Sequence, residues 1–581
     1  MKKTTVSEVS VMREKKPQSK AKKAVKKILL SLLAVFMVIV IAAGIIFGPY
    51  AYKMTYRKLN TGYHKVDTTL TTEEKLEDLE YMYKTVCLDN PMKEYYEELY
   101  GISYDDIYKE FQGYVTNTQT EFQFFAYLTS FLAILPGLHN FMTLPDYENN
   151  AVYTGNFLCE IYGTQRLKDL SYSWKEDFRD DVRIYDDYNL ISFVYVDGTY
   201  VVRDASGSLR SNYLTEYNGG QLLSLNGQDP KDMCFEFLDR FTPSYDEGND
   251  CFFREYMFFN DGIGVKYEAE LLMPDGTVKT IDIYDDPGFD ITFADVYAVY
   301  PDIYKRASTE ASTEEDVVTD IWDENYVPLT YKIAVDSGRK TVYVNCLSCD
   351  LSEGKRLASD LQKALDSIDA ENVIIDIRSN GGGQYSFATD QLLPVLFSHD
   401  VTFMSEVVGG KNDNTKNYYG SLFYKVMAKP LLNMPFRTDK DHFYYTEDFS
   451  VQGKATKNYK IYLLTSQNSF SSADVMTAVC KEYDNCTVVG TNTGGEGICG
   501  SPFSCYLPNS GFMFVYTPTA SLNIPGDGIT GISPDIYIHQ TVEEHLTRAD
   551  LKKQDIDADS YEVRQTWDNT LISVLDMIDN G

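Results

Sequence analysis

The sequence predicts an α/β protein behind a single transmembrane helix, on the strength of three changes of texture along the chain. Residues 28–48 are apolar and uncharged, residues 187–290 hold short β-rich runs with turn signals, and from about residue 325 strand and helix patterns alternate. A chain of 581 residues exceeds what one hydrophobic core organises, so several folded units are expected.

The apolar run "ILLSLLAVFMVIVIAAGIIFG" is 21 residues long. At about 1.5 Å per residue it crosses a hydrocarbon layer of roughly 30 Å. Residues 1–27 before it hold nine Lys and one Arg against Glu8 and Glu14, a net +8, which leaves −41 for the rest of a chain that totals −33. The positive-inside rule keeps this basic tail in the cytoplasm and puts everything from about Pro49 outside the cell membrane. A cleaved signal peptide fits less well, because the run is long and no small-x-small site precedes a polar segment. The acidic ectodomain excludes nucleic acid as a partner, since phosphate binding needs clustered Lys and Arg.

Residues 60–150 read as a helical N-terminal domain. In "TTEEKLEDLEYMYKTVC" apolar residues recur every three or four positions after an acidic first turn, and "EFQFFAYLTSFLAILPGLHNF" is a further helix stopped by Pro136-Gly137. Residues 187–290 read as a β domain, from runs such as "ISFVYVDGTYVV" and "YEAELLMPDGTVKTIDIY". "RASTEASTEEDVVTD", residues 306–320, is polar and acidic, as a linker should be. Residues 325–545 then alternate "KTVYVNCL", "EGKRLASDLQKALDSI", "NVIIDIR", "KIYLLTS", "SADVMTAVCKEY" and "CTVVGTN", the pattern of a largely parallel sheet with buried strands. Residues 546–581 form a helical C-terminal extension.

Ten cysteines in an exported chain are open to oxidation. Cys480 with Cys486, and Cys499 with Cys505, are close enough in sequence to pair, although spacing does not fix connectivity. Cys346-x-x-Cys349 lacks a second ligand pair, and no histidine supplies an H-x3-H partner, so neither a metal nor another cofactor is expected.

In open α/β sheets, sites collect at the carboxyl ends of strands, and two segments fall there. In "NVIIDIRSNGGGQYSF" the glycines Gly381, Gly382 and Gly383 let the backbone turn sharply and present N–H groups to an oxyanion; alone, they are also read as a turn capping a strand. In "TSQNSFSSAD" four serines lie between a strand and a helix. Ser466 and Ser469 come too early to sit at the helix start, whereas Ser471 and Ser472 sit there, where the macrodipole stabilises negative charge; a serine at that place is a nucleophile or a simple N-cap.

Taken in order, "NVIIDIRSNGGG", "NSFSSADVMTAV", "VVGTNTGGEG" and "GITGISPDI" resemble the core of the S41 serine peptidases, the family of the carboxyl-terminal processing proteases and the tricorn core, over roughly residues 330–540. The resemblance implies a ClpP/crotonase-like fold and a serine endopeptidase cleaving peptide bonds through an acyl-enzyme. By position, Ser471 matches the nucleophile, with Asp474 in place of the family's Glu, and the N–H groups of Ser472 and of Gly382 or Gly383 match the oxyanion hole. The processing-protease branch uses a Lys in a Gly-Lys-Gly turn as base, but here "TGGEG" puts Glu496 at that place, and a carboxylate does not substitute for a neutral lysine. Glu496 and Gly495 are therefore expected to bind substrate or make structural hydrogen bonds.

The tricorn-like branch uses a histidine from the amino-terminal part, and "LPGLHNF" supplies His139, either as general base or as a buried hydrogen-bonded residue. That branch's acid falls at Gly528, with Asp527 beside it as the orienting candidate. "GGQLLSLNGQDPKD" is similar to part of a PDZ domain, without a clear carboxylate-binding loop. The expected partner is a peptide or protein substrate. The alternative is a catalytically inactive S41-like peptide-binding surface protein, favoured by Glu496 and by the glycine at position 528.

Overall fold

The computed structural model describes residues 44, 64–137, 139–143, 165–177, 192–202, 217–232, 244–246, 248–253, 256–258, 266–284, 330–412, 415, 437–500, 502–523 and 531–580. The apolar run 28–48, apart from Gly44, the linker 306–320 and Asp527 lie outside these residues. Among the described residues, no helix is long and apolar enough to cross a membrane.

Between Tyr331 and Tyr537 a six-stranded sheet runs in the order Tyr331–Asp336, Thr341–Cys346, Asn372–Asp376, Lys460–Thr465, Cys486–Gly490, Ile536–Tyr537. The first pair is antiparallel and the other four pairs are parallel. Every residue of Thr341–Cys346 and Asn372–Asp376 is buried, as strands covered on both faces require. One face packs on helices Leu351–Ser367 and Ser472–Lys481 through residues such as Leu357, Leu361, Val373, Ile375, Leu463 and Met476. The other face, with Tyr343, Ile374, Leu464 and Val489, is covered by Tyr561, Leu571, Val574 and Leu575 of the C-terminal helices.

A second sheet joins the core on the first of these faces through Val401, Phe449 and Val451. Val401–Gly410 pairs antiparallel with His442–Val451 on one side and with Thr519–Ser521 on the other. Helix Ser472–Lys481 packs against this pair.

The helical region begins with Thr72–Tyr83, started by a capping box in which Thr71 and Glu74 satisfy each other's backbone N–H. Its helices share one aromatic core with the hairpin Phe503–Tyr506/Met513–Tyr516, where Phe125 and Trp174 both meet Phe512. Helix Glu121–Ile134 ends where expected, with Leu135 extended ahead of Pro136.

The β-rich region is an antiparallel six-stranded sheet ordered Tyr256–Phe258, Ser192–Val196, Thr199–Val202, Gln221–Leu225, Lys266–Leu272, Val278–Tyr284. Its first hairpin turns on Asp197-Gly198, both at positive φ, which is the backbone that a two-residue loop between right-twisted strands needs. It meets the mostly parallel sheet where Tyr537 donates to Asp246 and His539 lies 3.5 Å from Asp197.

Candidate active site

Three neighbouring parallel strands, Asn372–Asp376, Lys460–Thr465 and Cys486–Gly490, end side by side, and the loop that leaves each one contributes to a single cluster. The first carries the glycine turn, the second the serines and the third Glu496. The fourth participant, His139, comes from the distant helical region.

The four serines do different work. Ser466 Oγ donates to the carbonyl of Arg378 at 2.7 Å, and Ser469 Oγ donates to that of Ile377 at 2.8 Å while accepting from Ser466 N, so these two fasten the loop to the neighbouring strand end. Ser472 Oγ donates to the Gly383 carbonyl at 2.9 Å and ties the helix start to the glycine turn. Ser471 makes no cap hydrogen bond; it is held at φ 57° and ψ −116°, a sparsely populated conformation for a side-chain-bearing residue. Its N–H donates to Gly495 and its carbonyl accepts from Val475, which fixes the residue from both sides.

The aromatic core delivers the histidine. After Pro136 the chain turns at Gly137, φ 121°, where a Cβ would stand 3.0 Å from Asn140 Oδ1 and 3.2 Å from Glu496 Oε1. Asn140 donates to the carbonyls of Leu135 and Pro136, closing the helix end. The chain then pairs Phe141–Thr143 with Met513–Val515, locking the register. His139 thereby faces the serine loop with its ring 4.6 Å from that of Phe470.

His139 Nε2 lies 3.2 Å from Ser471 Oγ, and Nδ1 lies 2.5 Å from Glu496 Oε2. The same carboxylate oxygen accepts from His139 N at 2.8 Å and from Thr517 Oγ1 at 3.1 Å. Because Nδ1 faces a carboxylate, it carries the proton, and the Nε2 lone pair is left for the serine hydroxyl. The Glu496 side chain is only 3 % exposed and that of His139 13 %, so this pair works largely out of water. Asp474 holds the loop that carries Glu496, accepting from Thr493 Oγ1 at 2.5 Å and from Gly497 N at 3.1 Å.

The glycine turn lies against Ser471. A Cβ on Gly382 would come within 2.8 Å of Ser471 Cβ, so only glycine permits this approach. The Gly382 N–H donates to Asn380 Oδ1 at 2.9 Å and is not available to a substrate. The N–H groups of Gly383 and Ser472 have no partner among the described residues, and the latter sits at a helix N-terminus.

Thus Ser471, His139, Ser472, Gly383 and Gly495 meet in one cluster. Two open alternatives narrow. Of Gly382 and Gly383, the first has its N–H taken by Asn380, which leaves that of Gly383. Glu496, expected to bind substrate or make structural hydrogen bonds, makes the latter, its carboxylate accepting from His139 and Thr517 behind the imidazole. Sequence reasoning missed this pairing because the third group was sought near Asp527. The available signal was the "TGGEG" segment itself: a carboxylate that cannot replace a lysine base can still complement a histidine. Asn380 and Thr517 carried no signal at all.

All eight described cysteines are free thiols, including Cys480, Cys486, Cys499 and Cys505. Cys346 and Cys349 are buried beside the glycine turn, and burial pushes the Cys349 thiol up to about 12.

Residues 340–538 match the family model described as Peptidase family S41. No curated protein matches the chain. Among solved structures, mature CPAF complexed with lactacystin is 13% identical, with 88% of this chain and 100% of that chain covered and a TM-score of 0.45. The photosystem II D1 C-terminal processing protease is 13% identical, covering 82% of this chain and 94% of that one at a TM-score of 0.34. The tricorn protease is 14% identical over 82% of this chain and 36% of that one, with a TM-score of 0.30. Residues 340–538 thus form a domain of the kind described as Peptidase family S41.

Proposed function

We propose that the chain is a serine endopeptidase, anchored to the cell membrane by residues 28–48 with its catalytic part outside, that cleaves peptide bonds through an acyl-enzyme on Ser471. The observation that carries this reading is the relay from Ser471 Oγ to His139 Nε2 at 3.2 Å and from Nδ1 to Glu496 Oε2 at 2.5 Å. In this reading Ser471 Oγ attacks the scissile carbonyl carbon while its proton passes to Nε2. Glu496 stabilises the resulting imidazolium and holds the ring in the required tautomer. The Gly383 and Ser472 N–H groups receive the developing oxyanion. As the intermediate collapses, Nε2 returns the proton to the leaving amine. A water then attacks the acyl carbon as its proton passes to Nε2, and when this intermediate collapses Nε2 returns the proton to the departing Ser471 Oγ, releasing the acid.

The reading makes the base a histidine and dispenses with lysine, which accounts for an acidic residue at the usual lysine position. The sheet at residues 192–284 serves in it as a PDZ-like module beside the core. The membrane anchor rests on the length of the apolar run and the basic flank before it.

The test is fluorophosphonate labelling of the purified protein followed by peptide mass mapping. The expected result is one adduct, on Ser471, lost in Ser471→Ala and reduced at least a hundredfold in rate in His139→Ala. Labelling that survives Ser471→Ala, or none at all on folded protein, sinks the proposal.

A further inference from the structure

Strand His442–Val451 turns Phe443, Tyr445, Phe449 and Val451 inward, where all four are buried. Glu447 belongs to the same face by the two-residue period of a strand, and it is half-buried there. Across the pair it stands opposite Ser405, whose Oγ donates to the Ile498 carbonyl at 2.6 Å. Gly497, the residue before, lies so close to Ser471 that a Cβ on it would be 2.2 Å from the Ser471 carbonyl. On the other side, Tyr385 follows the oxyanion turn by two residues, sets its ring edge-on to Phe449 at 5.3 Å, and is nevertheless 44% exposed. Glu447 is therefore bracketed by the segments that flank the nucleophile.

This carboxylate has no hydrogen-bond or ion-pair partner among the described residues, and its oxygens are not sealed from solvent. The titratable group that faces it is Tyr385, whose hydroxyl is pushed up by burial and by the carboxylates of Glu447 and Asp390. Burial alone pushes the carboxyl of Glu447 up to about 7. An uncompensated carboxylate on the strand face whose Phe449 carries the exposed Tyr385 ring is the donor set that a cation satisfies: charge on one side and an aromatic ring on the other.

We propose that Glu447 and Tyr385 form a subsite, adjoining the oxyanion donors, that takes a Lys or Arg side chain of the polypeptide substrate. A neutral side chain there leaves the carboxylate uncompensated, and an acidic one is repelled. The inference rests on the reading of Ser471 as nucleophile only for the path of the substrate.

Binding without chemistry tests it. In the full-length Ser471→Ala protein, fluorescence anisotropy is measured with alanine-based decapeptides in which one Lys, Arg, Glu or norleucine is moved along the chain. At one position, Lys and Arg should bind at least tenfold more tightly than norleucine. The ratio should grow between pH 6 and 8 as Glu447 ionises, fall to within twofold of unity in Glu447→Gln, and invert toward Glu in Glu447→Lys. Equal binding across the set, an unchanged ratio in Glu447→Gln, or loss of all peptides alike in that variant would overturn the proposal. A basic preference in binding together with no hydrolysis by the unsubstituted protein would uphold the subsite and overturn the nucleophile instead.

Discussion

Glu496 decides what His139 can do. With its carboxylate at Nδ1, the ring keeps its proton on that side and offers a lone pair to Ser471. Glu496→Gln should leave folding intact but present an amide N–H to Nδ1, favouring the other tautomer. The expected loss in kcat is roughly 10³–10⁴-fold with KM little changed, checked by steady-state kinetics on any cleaved peptide. An effect confined to KM would argue for a substrate contact instead. Ser469 gives the opposite outcome. Its hydroxyl is fully buried and bridges Ile377 O and Ser466 N, so Ser469→Ala should cost about 1–3 kcal/mol of stability by denaturant titration while Ser471 remains reactive.

At the level of elements, the site is a meeting of three strand ends and one helix end, and close approach sets its tolerance. Gly382 sits at φ 98°, and a Cβ there would be 2.7 Å from the Phe470 carbonyl, which is backbone and cannot swing away. Gly382→Ala should therefore push the glycine turn off the nucleophile loop and lower kcat by about 10²–10³-fold, the scale of losing an oxyanion donor. A crystal structure of the variant would locate the displacement. The elements themselves were legible: buried runs such as "NVIID" and the periodic helices mark themselves by pattern, and helix Glu121–Ile134 stops at Leu135-Pro136 as the sequence implies. The glycine turn and serine loop were legible as strand ends with unusual composition. What pattern does not carry is contact between distant residues. His139 and Glu496 are 357 positions apart, and only the packing of Phe125 and Trp174 on Phe512, with the register Phe141 to Val515, brings them together. For the same reason the helical region, which reads as a domain of its own, shares its core with a hairpin near residue 510.

For the whole molecule, two groups of carboxylates give stability opposite dependences on pH. Burial by itself would raise the Asp376 carboxyl, but Arg378, Arg564 and the Tyr343 hydroxyl outweigh it and hold the carboxyl well below the ordinary range. Arg378 and Arg564 also bind Asp568, so this cluster ties the strand before the glycine turn to the C-terminal helices. A carboxyl lowered on folding contributes stability above its unfolded pKa, about 3.9, and that contribution disappears as pH falls below it. Leaving the cluster short of one charge, as in Asp376→Asn, should cost about 3–5 kcal/mol at pH 7 and progressively less as pH falls below about 3.9, measured by urea unfolding. Glu447 has the opposite sign. Its carboxyl is raised to about 7 by burial, so it favours the folded state fully only below its unfolded pKa of about 4.3, and the advantage is lost as pH rises through 7. Glu447→Gln should therefore stabilise the free protein by about 1–3 kcal/mol at pH 8 and change little at pH 4, while removing the preference for basic peptides. A variant no more stable than the parent at pH 8 would mean that the carboxylate is already compensated in the free protein. The proposed subsite would then lack the unpaired charge that a cationic side chain is needed to satisfy.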